Sequence, residues 1–406
     1  MAITIGIDGN CWINPRGYGR FTRELVRALL EIDRYNRYVL FLDQPTAAQA
    51  HDLPVHTHVR IVTVPTRAAA AAAASAWGHR SLRDLWAMRR AVARWNGRMD
   101  VFFFPSVYTF FPIRTRARVV VTIHDTLPEH LTDLVFPHRR ARWFWKWKVA
   151  WAIRCADVVA AVSWTSRYDL MRRWNLAETQ TVVIPDGVSA VFQPVTDPQR
   201  LTAGKRRYGI PLDVPYFLYV GGLNPHKNIT GLLRAFAGIA LRFPNVHLVL
   251  VGPHDRDVFY AQTLPFPRSG QENAWTARVI RAGFVSDADL ACLYSGAVAC
   301  VMPSYGEGFG LPAVESMACG TPVIASRAGA LPEVVRDAGL YFDPYRPDEL
   351  AMCMERLLLQ PDLRRVLGRR GIHRARAYTW TQSAQCALEV FARLASGVEQ
   401  VCGSVW

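Results

Sequence analysis

Two glutamates, Glu307 and Glu315, frame the stretch of this chain best suited to chemistry. The run Val298–Ser326 around them reads as an apolar strand, a glycine-spaced loop, a short helix, a glycine stop and a second strand. Pro312 suits the first helical turn, where a missing N–H costs nothing, and Gly320 suits the stop. Gly306, Gly308 and Gly310 leave little side chain between the loop backbone and whatever sits above it. The N–H groups of Gly308, Phe309, Gly310 and Leu311 are then expected to point outward beside the positive end of the helix, an anion site matched to a phosphate. A carboxylate gains nothing from a phosphate but accepts hydrogen bonds from sugar hydroxyls. Carboxylates on both sides of a phosphate site imply a ligand with hydroxyls, phosphate and hydroxyls again: a nucleotide sugar.

Further residues suit the same ligand. After the apolar run Tyr216–Val220 comes Gly221-Gly222-Leu-Asn-Pro-His226-Lys227-Asn228. Its glycines let the loop pass near phosphate, and Lys227 at the helix entrance supplies a full positive charge. His124 and Asp125 follow the strand Val119–Ile123, and strand C-terminal ends are where open α/β sheets bind ligands. Near the N-terminus, a strand (Ile3–Asp8), a loop ending Gly17-Tyr18-Gly19-Arg20 and a helix with Phe21, Leu25, Ala28, Leu29 and Ile32 on one face form the phosphate-approach unit of doubly wound folds. The Gly17-x-Gly19 spacing lacks the dinucleotide fingerprint, and a tight turn needing φ > 0 would use the same glycines.

With these residues in view, the seven-residue gap between Glu307 and Glu315 resembles the EX7E element of retaining GT-B glycosyltransferases, in the large family 4 (group 1). The resemblance implies an α/β fold of two doubly wound, Rossmann-like domains facing a central cleft. It implies that Glu307 contacts the donor sugar and Glu315 the ribose, and that Lys227, beside Gly222, grips the diphosphate. Gly221 and Gly222 stand where many relatives carry an arginine, so the usual Arg–Lys pair is not expected. His124 matches a histidine beside the donor sugar. Gly17 and Gly19 match a first loop bordering the donor phosphates, with Tyr18, Arg20 and Asp125 on the acceptor side. Phe284 and Val285 match the turn that packs beside the base.

The implied reaction moves a hexose from a nucleotide diphosphate to an acceptor hydroxyl with retention, by front-face attack, with Glu307, His124 and Lys227 as the catalytic set. The Gly-x-Gly-Arg and Gly-Gly-x-x-x-x-Lys-Asn forms look most like mannosyltransferases of polysaccharide assembly. That implies GDP-mannose as donor and a glycan or lipid-linked acceptor. No cofactor beyond the donor and no metal is expected, because cationic groups already cover the phosphates. Rival readings are a UDP-sugar-dependent transferase (UDP-glucose or UDP-N-acetylglucosamine), a GT-B epimerase or PLP-dependent phosphorylase, and a non-catalytic nucleotide-sugar-binding protein.

The elements that must position these residues follow from composition and pattern. With 406 residues, half of them hydrophobic and 20% charged, the chain is globular and long enough for two or three domains. A net charge of +15 favours anionic partners such as nucleotide diphosphates or acidic membrane surfaces. No nucleic-acid motif is present. Eight scattered cysteines form no C-x-x-C, so neither zinc nor a redox framework follows. The opening strand lacks the charged and apolar regions of an export signal. The apolar stretch Val101–Ile113 is too short to span a bilayer. A cytoplasmic location, peripheral on the inner face of a membrane, is expected.

Strands are expected at Tyr38–Asp43, Val59–Pro65, Val101–Phe104, Arg118–His124, Asp157–Ser163 and Thr181–Pro185, alternating with helices as in a parallel sheet. Further strands are expected at Val246–Val251 (before a Gly252-Pro253 turn), Thr321–Ser326 and Gly339–Phe342. The expected domains are 1–190 (acceptor side), a linker over 191–212, a nucleotide-sugar domain over 213–378, and a helix over 379–406 crossing back to the first. The alanine run 68–74 reads as a helix start or a loop. Residues 138–154 mix Arg and Lys with Trp143, Trp145, Trp147 and Trp151. Either Trp143, Trp147 and Trp151 form a stripe packed on the sheet, or the segment meets an anionic membrane surface.

Overall fold

The computed structural model describes residues 2–70, 81–136, 138–252 and 275–397. Residues 71–74 of the alanine run, Pro253 and Cys402 lie outside the described residues. The chain divides into two compact units, Met1–Gly187 with Trp380–Trp406, and Val188–Thr379.

The first unit is built on a parallel sheet of β1 (Thr4–Asp8), β2 (Arg37–Asp43), β3 (Val59–Val64), β4 (Val101–Phe104), β5 (Arg118–Ile123), β6 (Val158–Ala161) and β7 (Thr181–Val183). Their order in the sheet is β3-β2-β1-β4-β5-β6-β7. Helices cover both faces, which is why β4 is Val-Phe-Phe-Phe with every residue buried. The helices are α1 (Gly17–Ile32), α2 (Gln44–Gln49), α3 (Leu82–Ala93), α4 (Leu127–His130), α5 (Thr132–Val135), α6 (Arg139–Cys155) and α7 (Trp164–Trp174). Helix α1 turns Phe21, Leu25, Ala28 and Leu29 inward as its spacing predicts, whereas Ile32, expected on the same face, is exposed at the helix end. Strands β6 and β7 are shorter than expected. Asp157 bonds the Val119 N–H and Arg118 instead of extending β6, and Ser163 caps α7 by accepting from the Ser166 N–H.

In α6 the residues turned inward are Ala141, Trp145, Val149 and Ala152. Trp143 and Trp147 are 68% and 47% exposed. The reading in which the Trp143-Trp147-Trp151 stripe packs on the sheet is therefore corrected for Trp143 and Trp147, whereas Trp151 packs half-buried against the first unit's core. One indole, Trp145, fills the space among small neighbours, and its Nε1 donates to Glu129 at 2.8 Å.

The second unit repeats the plan with α8 (Pro198–Arg207), β8 (Tyr216–Val220), α9 (Ile229–Arg242), β9 (His247–Val251), β10 (Val279–Gly283), α10 (Asp287–Gly296), β11 (Ala299–Met302), α11 (Leu311–Ala318), β12 (Val323–Ser326), α12 (Leu331–Val335), β13 (Gly339–Phe342), α13 (Pro347–Leu359) and α14 (Pro361–Ala375). Its parallel sheet runs β10-β9-β8-β11-β12-β13. Helix α8 falls within the segment expected as a linker. It is capped by Asp197 and tied to α10 through Asp289, which accepts from Arg207 at 2.7 Å and Tyr208 at 2.9 Å.

The last described helix, α15 (Trp380–Ser396), belongs to the first unit. Trp380 packs edge-on to Phe21 with ring centres 6.0 Å apart, and Phe391 lies 5.3 Å from Phe103. Among the described residues, no helix is long and apolar enough to cross a membrane.

Candidate active site

In each sheet the strand order reverses beside the first strand, between β1 and β4 and between β8 and β11. Loops leaving the C-terminal ends of such a strand pair diverge and open a crevice, the preferred ligand position in doubly wound sheets.

In the second unit the two loops at this point carry Lys227 and Glu307. The Lys227 Nζ donates to both carboxylate oxygens of Glu307, at 2.8 and 2.9 Å. Ser304 Oγ adds a third donor. Burial works against charge on Glu307, but Lys227 and Ser304 outweigh it and hold the carboxyl below its ordinary value. The backbone is pinned as firmly. Tyr305 N–H donates to the His226 carbonyl at 2.8 Å, joining the two loops. Asn228, in the left-handed region at φ 54°, caps α9 and donates to the Pro303 and Pro344 carbonyls. On the other side, Ala330 N–H donates to the Glu307 carbonyl, and a Cβ on Gly329 would lie 2.4 Å from that oxygen.

Past Glu307 the loop enters α11. Gly310 takes φ 100° as the residue before the helix, where a side chain would meet Leu331. Phe309 is buried edge-on to Tyr378 at 5.2 Å, so only its backbone can serve a ligand. Glu315 is 4% exposed and accepts from the Tyr294 hydroxyl at 2.9 Å. Gly222 offers its carbonyl to the Tyr219 hydroxyl at 2.6 Å. Beyond β10, Phe284 is 83% exposed while Val285 is buried.

In the first unit, Gly17 to Arg20 form the first turn of α1. A Cβ on Gly19 would lie 2.0 Å from the Asn14 carbonyl, so that glycine makes room for the protein's own loop. Tyr18 stacks on Tyr108 at 4.8 Å. His124 Nε2 lies 2.9 Å from the Pro105 carbonyl. A carbonyl only accepts, so Nε2 carries the proton and Nδ1 of the neutral ring is the acceptor. Burial lowers the His124 pKa to about 4, against the Pro105 hydrogen bond. Asp125 caps α4 by accepting from the Leu127 N–H at 3.1 Å.

Several supporting residues escape sequence reasoning. Asp8 is fully buried and accepts from Asn10 and, at 2.7 Å, from Thr109, tying the loop after β1 to the one after β4. Tyr294 and Gly329 likewise act through partners distant in sequence, and Ser304 through Glu307 three positions on. The structure thus groups Lys227, Glu307 and Glu315 in the second unit, and Tyr18 and His124 in the first. The second-unit group can hold an anion and hydroxyls side by side.

Comparison with known proteins identifies the family. The model of the group 1 glycosyl transferases matches residues 202–374, and that of Glycosyltransferase Family 4 matches residues 15–191. The O-antigen chain mannosyltransferase B of Escherichia coli is 30% identical over 90% of this chain and 92% of its own. The serotype-specific mannosyltransferase WbdA of Escherichia coli is 28% identical over 68% of this chain, which spans only 34% of that protein. Among solved structures, the sucrose-phosphate synthase from Thermosynechococcus elongatus superposes with a TM-score of 0.72 at 23% identity, covering 97% of this chain and 100% of that one. The chain belongs to the group 1 glycosyltransferases of family 4, retaining enzymes with the GT-B fold.

Proposed function

We propose that the protein moves mannose from GDP-mannose to a hydroxyl of a glycan or lipid-linked acceptor in polysaccharide assembly. In this reading the enzyme is cytoplasmic and meets its acceptor at an anionic membrane surface. The observation that carries donor binding is the Lys227–Glu307 pair at the switch point of the second sheet, one loop away from the start of α11. The choice of mannose draws on the likeness to the Escherichia coli O-antigen mannosyltransferase.

The acceptor oxygen forms a bond to the anomeric carbon as the bond from that carbon to the diphosphate oxygen breaks, and the acceptor proton passes to the leaving diphosphate. Lys227 and the N–H groups of Gly308 to Leu311 stabilise the charge growing there. Glu307 holds sugar hydroxyls and Glu315 the ribose. Gly222, Phe284 and Val285 border the nucleotide. Gly17, Gly19 and His124 serve the donor from the first unit, with Tyr18, Arg20 and Asp125 on the acceptor side. These first-unit roles rest on the family resemblance.

A thermal-shift panel of GDP, UDP, GDP-mannose, UDP-glucose and UDP-N-acetylglucosamine tests the donor. A ligand at ~100 times its dissociation constant adds roughly 2.7 kcal/mol of stability. Stabilisation by guanine nucleotides with release of GDP on transfer is expected. Stabilisation by uracil nucleotides alone would replace mannose with a UDP-sugar.

A further inference from the structure

The outward face of α6 combines exposed indoles with exposed cations. The helix carries six cationic residues (Arg139, Arg140, Arg142, Lys146, Lys148 and Arg154) and no acidic one. Lys148 turns inward, its Nζ donating to the Tyr108 carbonyl at 2.7 Å. The other five are exposed. Helical spacing places Arg139, Trp143, Lys146, Trp147 and Arg154 on one face, with the exposed Arg142 at its edge, opposite the buried Ala141, Trp145, Val149 and Ala152. Two solvent-facing indoles within a field of cations are costly for a face that meets only water, because their apolar rings stay hydrated.

Beside this face lies a groove of about 510 Å³ between α6 and α7. Trp143, Trp147 and Trp174 wall it, and Lys146 and Arg173 add cations. Of the acidic side chains on the neighbouring helices, Asp133 is exposed, Glu129 lines the groove, and Glu129 and Asp169 have partners. Glu129 accepts from Trp145, and Asp169 lies 3.4 Å from His130.

We propose that the outward face of α6, with the adjoining tryptophan-walled groove, is the surface by which the protein docks on an anionic phospholipid membrane. The inference rests on the reading that the acceptor is met at a membrane, and it assigns that contact to particular side chains. Arg139, Arg142, Lys146 and Arg154 meet lipid phosphates. Trp143 and Trp147 seat their rings at the headgroup level, where an amphipathic indole is most stable. A basic residue near an anionic leaflet gains from a surface potential that salt screens, whereas the seating of an indole does not depend on salt.

Co-sedimentation with vesicles of phosphatidylglycerol and phosphatidylcholine, against pure phosphatidylcholine, tests this on the full chain. The parent is expected to bind the anionic vesicles at low salt, with a blue shift of tryptophan emission. R142Q/K146Q is expected to weaken binding about thirtyfold at low salt, and the difference should shrink at high salt. W143A/W147A is expected to weaken binding at every salt concentration. Both pairs are exposed, and unchanged melting temperatures would show that the variants fold. Sugar transfer to a water-soluble acceptor, measured in parallel, should be unchanged in both. A parent that ignores anionic vesicles but transfers sugar overturns the docking surface alone, as does a parent that self-associates through this face instead. Vesicle binding untouched by either pair also overturns it. Intact vesicle binding without transfer from any donor would overturn the enzymatic reading and leave the docking surface standing.

Discussion

Both carboxylate oxygens of Glu307 accept hydrogen bonds from one ammonium, that of Lys227, at 2.8 and 2.9 Å. The two residues stand 80 positions apart and meet because β8 and β11 are neighbours in the sheet. Paired in this way, the ammonium of Lys227 favours the ionised form of Glu307 in a largely buried place.

Substituting Glu307→Gln keeps the shape and removes the charge. Transfer is expected to fall by about 10²–10³ in kcat, the range found when a single charge-stabilising group is lost. Nucleotide release during turnover measures it. An unchanged rate would remove Glu307 from the catalytic set.

Gly329 holds φ 57°, and a Cβ there would lie 2.4 Å from the Glu307 carbonyl and 2.6 Å from its nitrogen. Gly329→Ala is expected to cost at least about 1–2 kcal/mol from the left-handed backbone alone, with the clash added. The denaturant midpoint should fall, and donor binding should fall with it because the displaced backbone is that of Glu307.

Tyr294 donates to the buried Glu315 carboxylate. Tyr294→Phe removes a hydrogen bond to a charged group, worth about 1.5–3 kcal/mol. Its effect should concentrate in donor affinity, since Glu315 is assigned to the ribose. Titration with nucleotide and with nucleotide sugar should show equal weakening.

Two half-buried groups of the first unit have pKa values shifted in opposite directions. Burial lowers His124 from 6.5 to about 4, so below pH 6.5 the unfolded chain takes a proton that the fold refuses, and stability falls toward pH 4. Burial raises Glu129 from 4.5 to about 7, so the fold keeps a proton that the unfolded chain releases, and this stabilisation is lost as pH rises through 7. The two contributions oppose each other between pH 4.5 and 6.5, so together they should change the parent's melting temperature little there, and above pH 7 neither adds a further change. Glu129→Gln should leave a melting temperature that rises from pH 4.5 to 6.5, and His124→Gln one that falls from pH 4.5 to 7. A Glu129→Gln curve parallel to the parent's would show that Glu129 does not titrate in that window.

Apolar runs determined most strand positions, because a strand buried on both faces has no choice but to be continuously hydrophobic. Glycine and proline placement determined where α11 begins, through backbone angles that few other residues adopt. Lys227 and Glu307 were visible as residues in loops at strand ends for the same local reasons. Their mutual pairing was not, because the order of strands in a sheet leaves no mark on either segment.

Tertiary structure alone decided the partners: Ser304 and Gly329 around Glu307, Tyr294 beneath Glu315, and Asp8 binding Asn10 to Thr109. It also decided the orientation of α6. Four tryptophans at 143, 145, 147 and 151 allow more than one inward face, and the sequence pattern favours none. Packing chose Trp145, the one ring whose N–H reaches Glu129 while Ala141, Val149 and Ala152 let the helix approach the sheet. That choice left Trp143 and Trp147 facing outward.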